Sequence, residues 1–386
     1  MKVALIADLH LGFGQGERKK DATEAMRKAF QAALERGADL ILILGDVLHA
    51  WTTRRLEDLA EFIGALSLAR EKGAKVVAIA GNHEARGGLN ILQVIARTGL
   101  LAYLDCETLT LEKDGEKVAI HGMGYRDTPA KAKNMLRIWS PRPVPGAFNI
   151  LILHQGIGNF VYAGARDLEL SDLPKGFDLY ATGHVHLRAE ASVNGAPLLI
   201  PGSLIQTQLS REEQGVPKGF YLLDTACRRW EFVEVVCRDF YYVQIEARGE
   251  RAGELKKRVE EEIENALSQP RRNPEKKPLV RVRIVGSLAQ GEVPPNPREI
   301  EEAFREQAIV SVGMELGVIP VEAERIRELR EKPASALDLV TESFKRRMGE
   351  GPMDAGELLK MLVEKEPEET EEAILKAVEE KVRGGG

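Results

Sequence analysis

The sequence predicts an α/β fold built on a mixed β-sheet. Two observations carry that expectation: short apolar runs alternate with helical segments over roughly the first 224 residues, and most of these runs empty into a loop bearing Asp, Asn or His. A third sharpens it, because all seven histidines of the 386-residue chain lie between His10 and His186. Strand ends on the rim of a sheet are where α/β folds bind ligands and metals.

Taken in order, KVALIA over residues 2–7 forms a strand that leads into Asp8-Leu9-His10. A glycine-rich loop through Gly12, Gly14 and Gly16 follows, and Asp21 with Glu24 reads as a capping box for a helix ending at Gly37. The strand over 39–44 delivers Asp46 and His49. A helix over 54–72 carries Leu56, Leu59, Ile63 and Leu66 on one stripe and stops at Gly73. A strand over 75–80 then leads to Asn82-His83-Glu84, and a further apolar helix over 89–98 ends at Gly99. Strands near 117–121, 149–153, 178–182, 197–200 and 219–223 complete the sheet, and two of them deliver His154-Gln155 and His184-Val185-His186.

The first domain is expected to span 1–224, a small α+β domain 225–330, and a helical tail 331–386. In the second, WEFVEVV and FYYVQIEA read as strands and 252–267 as a charged helix. A basic linker and strand there contain Arg271, Arg272, Lys276, Lys277, Arg281 and Arg283, either a phosphate-contacting patch or a solvated surface. The tail places Leu337, Val340 and Phe344 on one helical face and Leu358, Leu362, Ile374 and Val378 on two more short helices. So little apolar material cannot form a core, so these helices either pack on the body or await a partner.

Composition excludes several classes. No apolar run approaches the roughly 20 residues of a membrane span, and the N-terminus enters a strand without a signal-peptide segment, so an intracellular protein is expected. Cys106, Cys227 and Cys237 have no CxxC spacing, hence neither a disulfide framework nor a zinc knuckle is expected. The net charge of −6 rules out a protein basic all over, yet bound divalent cations would make one site locally positive. Abundant Glu and Arg with sparse Asn and Gln lean toward a heat-adapted source.

A lone histidine after a strand is ordinarily a satisfied core or surface residue, and His121 in KVAIHGMGY suits that reading. Repetition is different. Asp8, Asp46, Asn82, His10, His154, His184 and His186 supply more donors than one metal needs, and about the number that two ions sharing a bridging carboxylate require. A carboxylate, amide and imidazole set suits Mn²⁺ and tolerates Fe or Zn.

Asp8-Leu-His10, Gly45-Asp46-Val-Leu-His49, Gly81-Asn82-His83-Glu84, His154-Gln155 and Gly183-His184-Val-His186 together resemble the calcineurin-like metallophosphoesterase superfamily. Within it, DLHLG with a following Gln15, His49 three residues after Asp46, and LHQGI followed by DLPKGFDLYATGHVH resemble the archaeal form of the meiotic recombination eleven family, to which the SbcCD nuclease subunit is related. The resemblance covers roughly residues 1–224. It implies a metallophosphoesterase sandwich of mixed β-sheets flanked by helices, with an α+β cap and a helical tail. It assigns Asp8, His10, Asp46 and His186 to one ion, and Asp46, Asn82, His154 and His184 to a second. Two Mn²⁺ are implied, with Fe, Zn or Mg as alternatives, activating a water for phosphodiester hydrolysis.

By the same resemblance, His83 contacts the scissile phosphate and assists departure of the sugar oxygen. His49 either orients His83 or the phosphate or makes a structural hydrogen bond, and Glu84 stabilises its loop. The implied activity is 3′ to 5′ exonuclease action on duplex DNA and endonuclease action on single strands, in double-strand-break repair. The implied partners are DNA, a coiled-coil ATPase of the Rad-fifty family bound by the tail, and a second copy of the chain. Leu56, Ile63, Leu89 and Leu92 are the candidates for the face between copies, against ordinary packing on the sheet. A general phosphoesterase acting on nucleotides or phosphoproteins, and a mainly structural tether of DNA ends, are the alternatives.

Overall fold

The computed structural model describes residues 1–50, 56–85, 88–160 and 166–318, the last without its side chain. In chain order the elements are β1 (Lys2–Ile6), α1 (Asp21–Glu35), β2 (Leu40–Ile43), α2 (Leu56–Glu71), β3 (Lys75–Ala78), α3 (Ile91–Ala96), β4 (Ala102–Tyr103), β5 (Glu107–Lys113), β6 (Glu116–Met123), α4 (Pro129–Trp139) and β7 (Phe148–His154). There follow β8 (Leu179–Gly183), β9 (Ala189–Val193), β10 (Ala196–Ile200), β11 (Gly219–Asp224), β12 (Arg229–Glu234), β13 (Phe240–Arg248), α5 (Ala252–Leu267), β14 (Leu279–Leu288), α6 (Pro297–Ala303) and β15 (Ile309–Val318).

Two six-stranded mixed sheets, β12-β11-β1-β2-β3-β4 and β5-β6-β7-β8-β10-β9, form the frame. The period of two along each strand sends Val3, Leu5, Leu40, Leu42 and Val77 to the same buried cluster as Val118, Ile120, Ile150, Ile152 and Leu199, so the sheets pack face to face. The alternate residues Ala4, Ile6, Ile41, Ile43, Val76 and Ala78 pack with Ala25, Met26, Phe30, Phe62 and Leu66 of α1 and α2. On the second sheet's outer face, Leu151, Leu153, Tyr180 and Leu198 pack with Ala132 and Leu136 of α4. Strands buried on both faces explain why these runs are apolar throughout rather than alternating.

Several expectations need correction. Asp21 does not cap α1: the N-cap is Lys20 without a side-chain bond, and the Asp21 carboxylate instead meets Arg238 at 2.6 Å and Lys276 at 3.0 Å. A buried carboxylate gains more from two cations than from one backbone donor. The edge strand β4 and both edge strands of the second sheet, β5 and β9, lie where no strand was expected, although β5 and β9 each end in a legible hairpin signal. Asp114-Gly115 and Asn194-Gly195 both hold positive φ, at 52° and 77° and at 52° and 84°, as a two-residue type I′ turn requires. Just past residue 224 the chain still adds to the first sheet, where β12 pairs antiparallel with β11 through Leu223↔Trp230 and Gly219↔Glu234.

The described residues divide into two compact units. One comprises 1–244, 259–283 and 296–313, and the other 245–258, 284–295 and the residues from 314 on. The last three strands form a sheet in the order β13-β14-β15, and α5 keeps Leu255, Val259, Ile263 and Ala266 buried on one stripe. The tail over 331–386, with Leu337, Val340, Phe344, Leu358, Leu362, Ile374 and Val378, lies outside the described residues, as do the first two residues expected of α2. No described helix is long and apolar enough to cross a membrane.

Candidate metal centre

The loops that follow β1, β2, β3, β7 and β8 converge at one end of the paired sheets. Asp8, His10, Asp46 and His184 all adopt left-handed backbone, with φ of 50°, 48°, 51° and 76°. Such conformations cost about 1–3 kcal/mol each in a non-glycine residue and persist only where the surroundings enforce them. Here backbone pairing does so: the His10 and Leu11 N–H groups donate to Asp46 O and Val47 O at 2.9 and 2.8 Å, locking the first two loops together. The motif glycines are required by proximity. A Cβ on Gly81 would fall on the Asp46 carboxylate, and one on Gly45 on the His154 ring.

Asp46 is the hub. Its Oδ2 lies 3.5 Å from His154 Nε2, 3.7 Å from His83 Nε2 and 3.9 Å from His10 Nε2, while Oδ1 accepts the His83 N–H at 2.9 Å. On one side, Asp8, His10, Asp46 and His186 bring four donor atoms within 4.8 Å of one another. On the other, Asn82 Oδ1 sits 2.9 Å from His184 Nδ1 and 3.2 Å from His154 Nε2. All seven donors expected from the sequence are therefore brought together, in two sets that share Asp46. His154 is fixed by its Nδ1–H donating to Leu44 O at 2.6 Å, which leaves Nε2 facing the hub.

The protein's own groups do not complete this arrangement. His10 Nε2 and His186 Nε2 face each other at 3.0 Å, and two imidazole lone pairs so placed need a proton or a cation between them. Asp8 Oδ2 and His10 Nδ1 are buried with no hydrogen-bond partner among the described residues. Burial, opposed by His154 and reinforced by Asp46, pushes the Asp8 carboxyl up to about 7. Burial likewise lowers His184 and His186 to about 4, leaving neutral imidazoles with free lone pairs. Asp46 goes the other way: burial would raise it, but His154, His10 and His83 hold it well below the ordinary carboxylate range. His154 rises to about 9, the pull of Asp46 outweighing burial. An oxygen and nitrogen donor set with buried negative charge and orphaned lone pairs fits divalent metal ions.

His83 and His49 stand beside this set. The His83 Nδ1 is bonded to the His49 carbonyl, the His49 ring stacks on it at 5.3 Å and 28°, and the His83 side chain is 27% exposed. Burial, with His83 close by, lowers His49, and its Nδ1 is buried without a partner among the described residues. Glu84 is a fastening for the loops. Its buried carboxylate accepts the N–H groups of Asp46, Leu48 and Gly81 at 3.0, 2.8 and 2.9 Å. His121 is a satisfied core residue, bonded to Thr108 Oγ1 at 2.9 Å and Asn149 Oδ1 at 3.1 Å.

The basic run serves mainly as internal tethers. Arg272 pairs with Glu234 at 2.6 Å, Lys276 with Asp21 and Glu24 at 3.0 and 2.5 Å, and Lys277 with Glu17 at 2.8 Å. Arg271 donates to the Pro274 carbonyl at 2.8 Å and Arg281 to Ser311 Oγ at 2.7 Å, while Arg283 is exposed. Of the residues expected between copies, Leu56, Leu89 and Ile63 are 73%, 56% and 37% exposed, but Leu92 is fully buried. Leu92 packs inward in the cluster of Phe62 and Leu66 and offers nothing to a second chain. Sequence reasoning missed Thr207, whose hydroxyl lies 2.6 Å from His186 Nδ1, because no motif marks its loop.

Residues 1–188 match the calcineurin-like phosphoesterase family. The chain is similar to the DNA double-strand break repair protein Mre11 of Methanopyrus kandleri, 31% identical over 67% of this chain and 62% of that protein. It is also similar to the Mre11 proteins of Archaeoglobus fulgidus, at 28% identity over 64% and 62%, and of Sulfolobus acidocaldarius, at 24% over 75% and 76%. The chain thus spans 62% of the length of the first two relatives.

Proposed function

We propose, from the match of residues 1–188 to the calcineurin-like phosphoesterase family and the likeness to Mre11 proteins, that the chain is a metal-dependent phosphodiesterase that cuts DNA in double-strand-break repair. The observation that carries the reading is the convergence of two donor sets on the one carboxylate of Asp46, with His83 standing just outside them. Asp8, His10, Asp46 and His186 would hold one divalent ion, and Asp46, Asn82, His154 and His184 a second, Mn²⁺ being the ion this donor set suits best. Such ions supply Lewis acidity, making an attacking water more acidic and neutralising phosphate charge.

The chain's own residues do the rest. With Nδ1 bonded to the His49 carbonyl, His83 can present only Nε2 to the site, and its part exposure lets a phosphodiester approach it. A proton carried there passes to the departing sugar oxygen. The stacked His49 ring limits the rotation of His83 and is a positioning group. Glu84 keeps the loops of Asp46 and His83 in register.

The finer reading includes 3′ to 5′ action on duplex ends, cleavage of single strands, a homodimer formed through Leu56, Ile63 and Leu89, and a coiled-coil ATPase of the Rad-fifty kind engaged by residues 336–382. Phosphate contact through 271–283 would require breaking the Arg272, Lys276 and Lys277 ion pairs. End-labelled duplex DNA with ragged ends, incubated with Mn²⁺ beside a small phosphodiester, tests the proposal. Metal-dependent shortening of the DNA is expected, and adding the ATPase with ATP should alter its rate. Hydrolysis of the small diester with the DNA left intact would refute it in favour of a general phosphoesterase.

A further inference from the structure

We infer that Thr207 and the buried Lys218–Glu213 ion pair are positioning residues that set which nitrogen of His186 a metal ion meets. The inference rests on the metal-dependent reading above. Imidazole can offer either ring nitrogen, and the partner of one decides the role of the other. His186 Nδ1 lies 2.6 Å from the Thr207 hydroxyl, while its Nε2 points at His10 Nε2 and the Asp8–Asp46 pocket. With Nδ1–H donated to Thr207 Oγ1, the lone pair stands on Nε2, where the other donors converge.

The loop that carries Thr207 is held by a single carboxylate. Glu213, 1% exposed, accepts the Leu209, Gln208 and Thr207 N–H groups at 2.7, 3.1 and 3.4 Å, and Leu209 is thereby kept in left-handed backbone at φ 51°. On the adjacent residue, the Gln206 carbonyl accepts from Arg18 at 2.5 Å. The counter-ion to Glu213 is Lys218, 5% exposed, whose ammonium donates to Glu213 at 2.8 Å, to Ser203 Oγ at 3.1 Å and to the His186 carbonyl at 3.0 Å. All three ammonium protons are used. One ion pair thus fixes His186 twice, at its backbone through Lys218 and at its ring through Glu213 and Thr207.

A buried pair costs several kcal/mol per ion in desolvation and is commonly no more stabilising than apolar residues of the same volume. Stability alone therefore accounts poorly for two charges next to a ligand histidine, whereas fixing the geometry of that ligand needs the directed bonds that only polar groups make. Second-sphere partners of metal-bound histidines typically change metal affinity by about 10- to 100-fold when removed.

The test is Thr207→Val, which keeps the branched shape and deletes the hydroxyl, against Thr207→Ser, which restores it. Full-length wild type and both variants are titrated with Mn²⁺, followed by calorimetry and by the electron paramagnetic resonance of the bound ion. The expected result is about tenfold or greater weakening of one of two sites in Thr207→Val, an altered resonance, and recovery in Thr207→Ser. The other site and the unfolding midpoint without metal should stay near wild type. Wild-type affinity and spectrum in Thr207→Val would overturn the inference while leaving the metal reading intact. Equal weakening of both sites would overturn it too, since a general loosening of the fold is then responsible. A wild-type chain that takes up no divalent ion overturns the metal reading itself, and this inference with it.

Discussion

Removing divalent ions should make the protein's stability fall steeply with pH between 6.5 and about 9, and restoring them should abolish the fall. The group responsible is His154, wholly buried beside Asp46 and raised from 6.5 to about 9. In the metal-free protein its proton supplies the positive charge that the carboxylates need. A base whose folded value lies above its unfolded one contributes stability that is complete below pH 6.5 and is lost as the pH rises through about 9. At about 1.4 kcal/mol for each unit between the two values, the loss amounts to roughly 3 kcal/mol, a large part of the usual 5–15 kcal/mol of a folded domain. Asp8 and Glu84, both raised to about 7, act in the same direction but are spent near that pH. His184 and His186, lowered to about 4, oppose the fall only below 6.5. A metal ion competes with the His154 proton, so the loaded protein gains rather than loses stability over this range. Urea unfolding at several pH values, in chelator and in Mn²⁺, measures both curves, and His154→Gln isolates the group. A flat curve in chelator, or an equal slope in the variant, would refute the reasoning.

Other perturbations separate the roles of neighbouring residues. Substituting His83→Ala should lower DNA cleavage at least about 100-fold while calorimetry still finds full metal uptake, and joint loss of both would remove it from the leaving-group role. In Gly81→Ala the added Cβ meets the Asp46 carboxylate, so metal affinity should drop more than about tenfold; undiminished uptake would contradict the crowding described for that turn. Leu92→Ala should cost about 2–5 kcal/mol in urea unfolding as a core deletion, whereas exposed Leu56→Ser should cost under about 0.5 kcal/mol yet weaken self-association in sedimentation. A Leu56→Ser protein that sediments as wild type would count against that helix face as the contact between copies.

Much of this protein is legible in one dimension. The strand-then-donor pattern picks out Asp8, His10, Asp46, Asn82, His154, His184 and His186 as candidates, and at Asp46, Asn82 and His184 a glycine stands directly before the donor. Edge strands were harder. β5 is exposed along most of its length and β9 is part exposed, so they lack the apolar run of a central strand and show themselves only through their Asp-Gly and Asn-Gly turns. Asp21 looked like a helix cap because capping is a local rule, yet Arg238 and Lys276, more than 200 residues away, decide where its carboxylate points.

The sequence by itself determined the layers, the order of the strands that feed the site and the chemistry of its donors, since these follow from local periodicity and residue type. Only the tertiary structure decided the rest: that Leu92 faces inward while Leu56 faces out, that Arg272, Lys276 and Lys277 of the basic run are paired with carboxylates of the chain itself, and that Thr207, Glu213 and Lys218 stand behind His186. The physical reason is range. Backbone pattern and turn chemistry act over a few residues, whereas a side chain's partner is fixed by which distant segments the packed sheets bring within 3 to 4 Å of it.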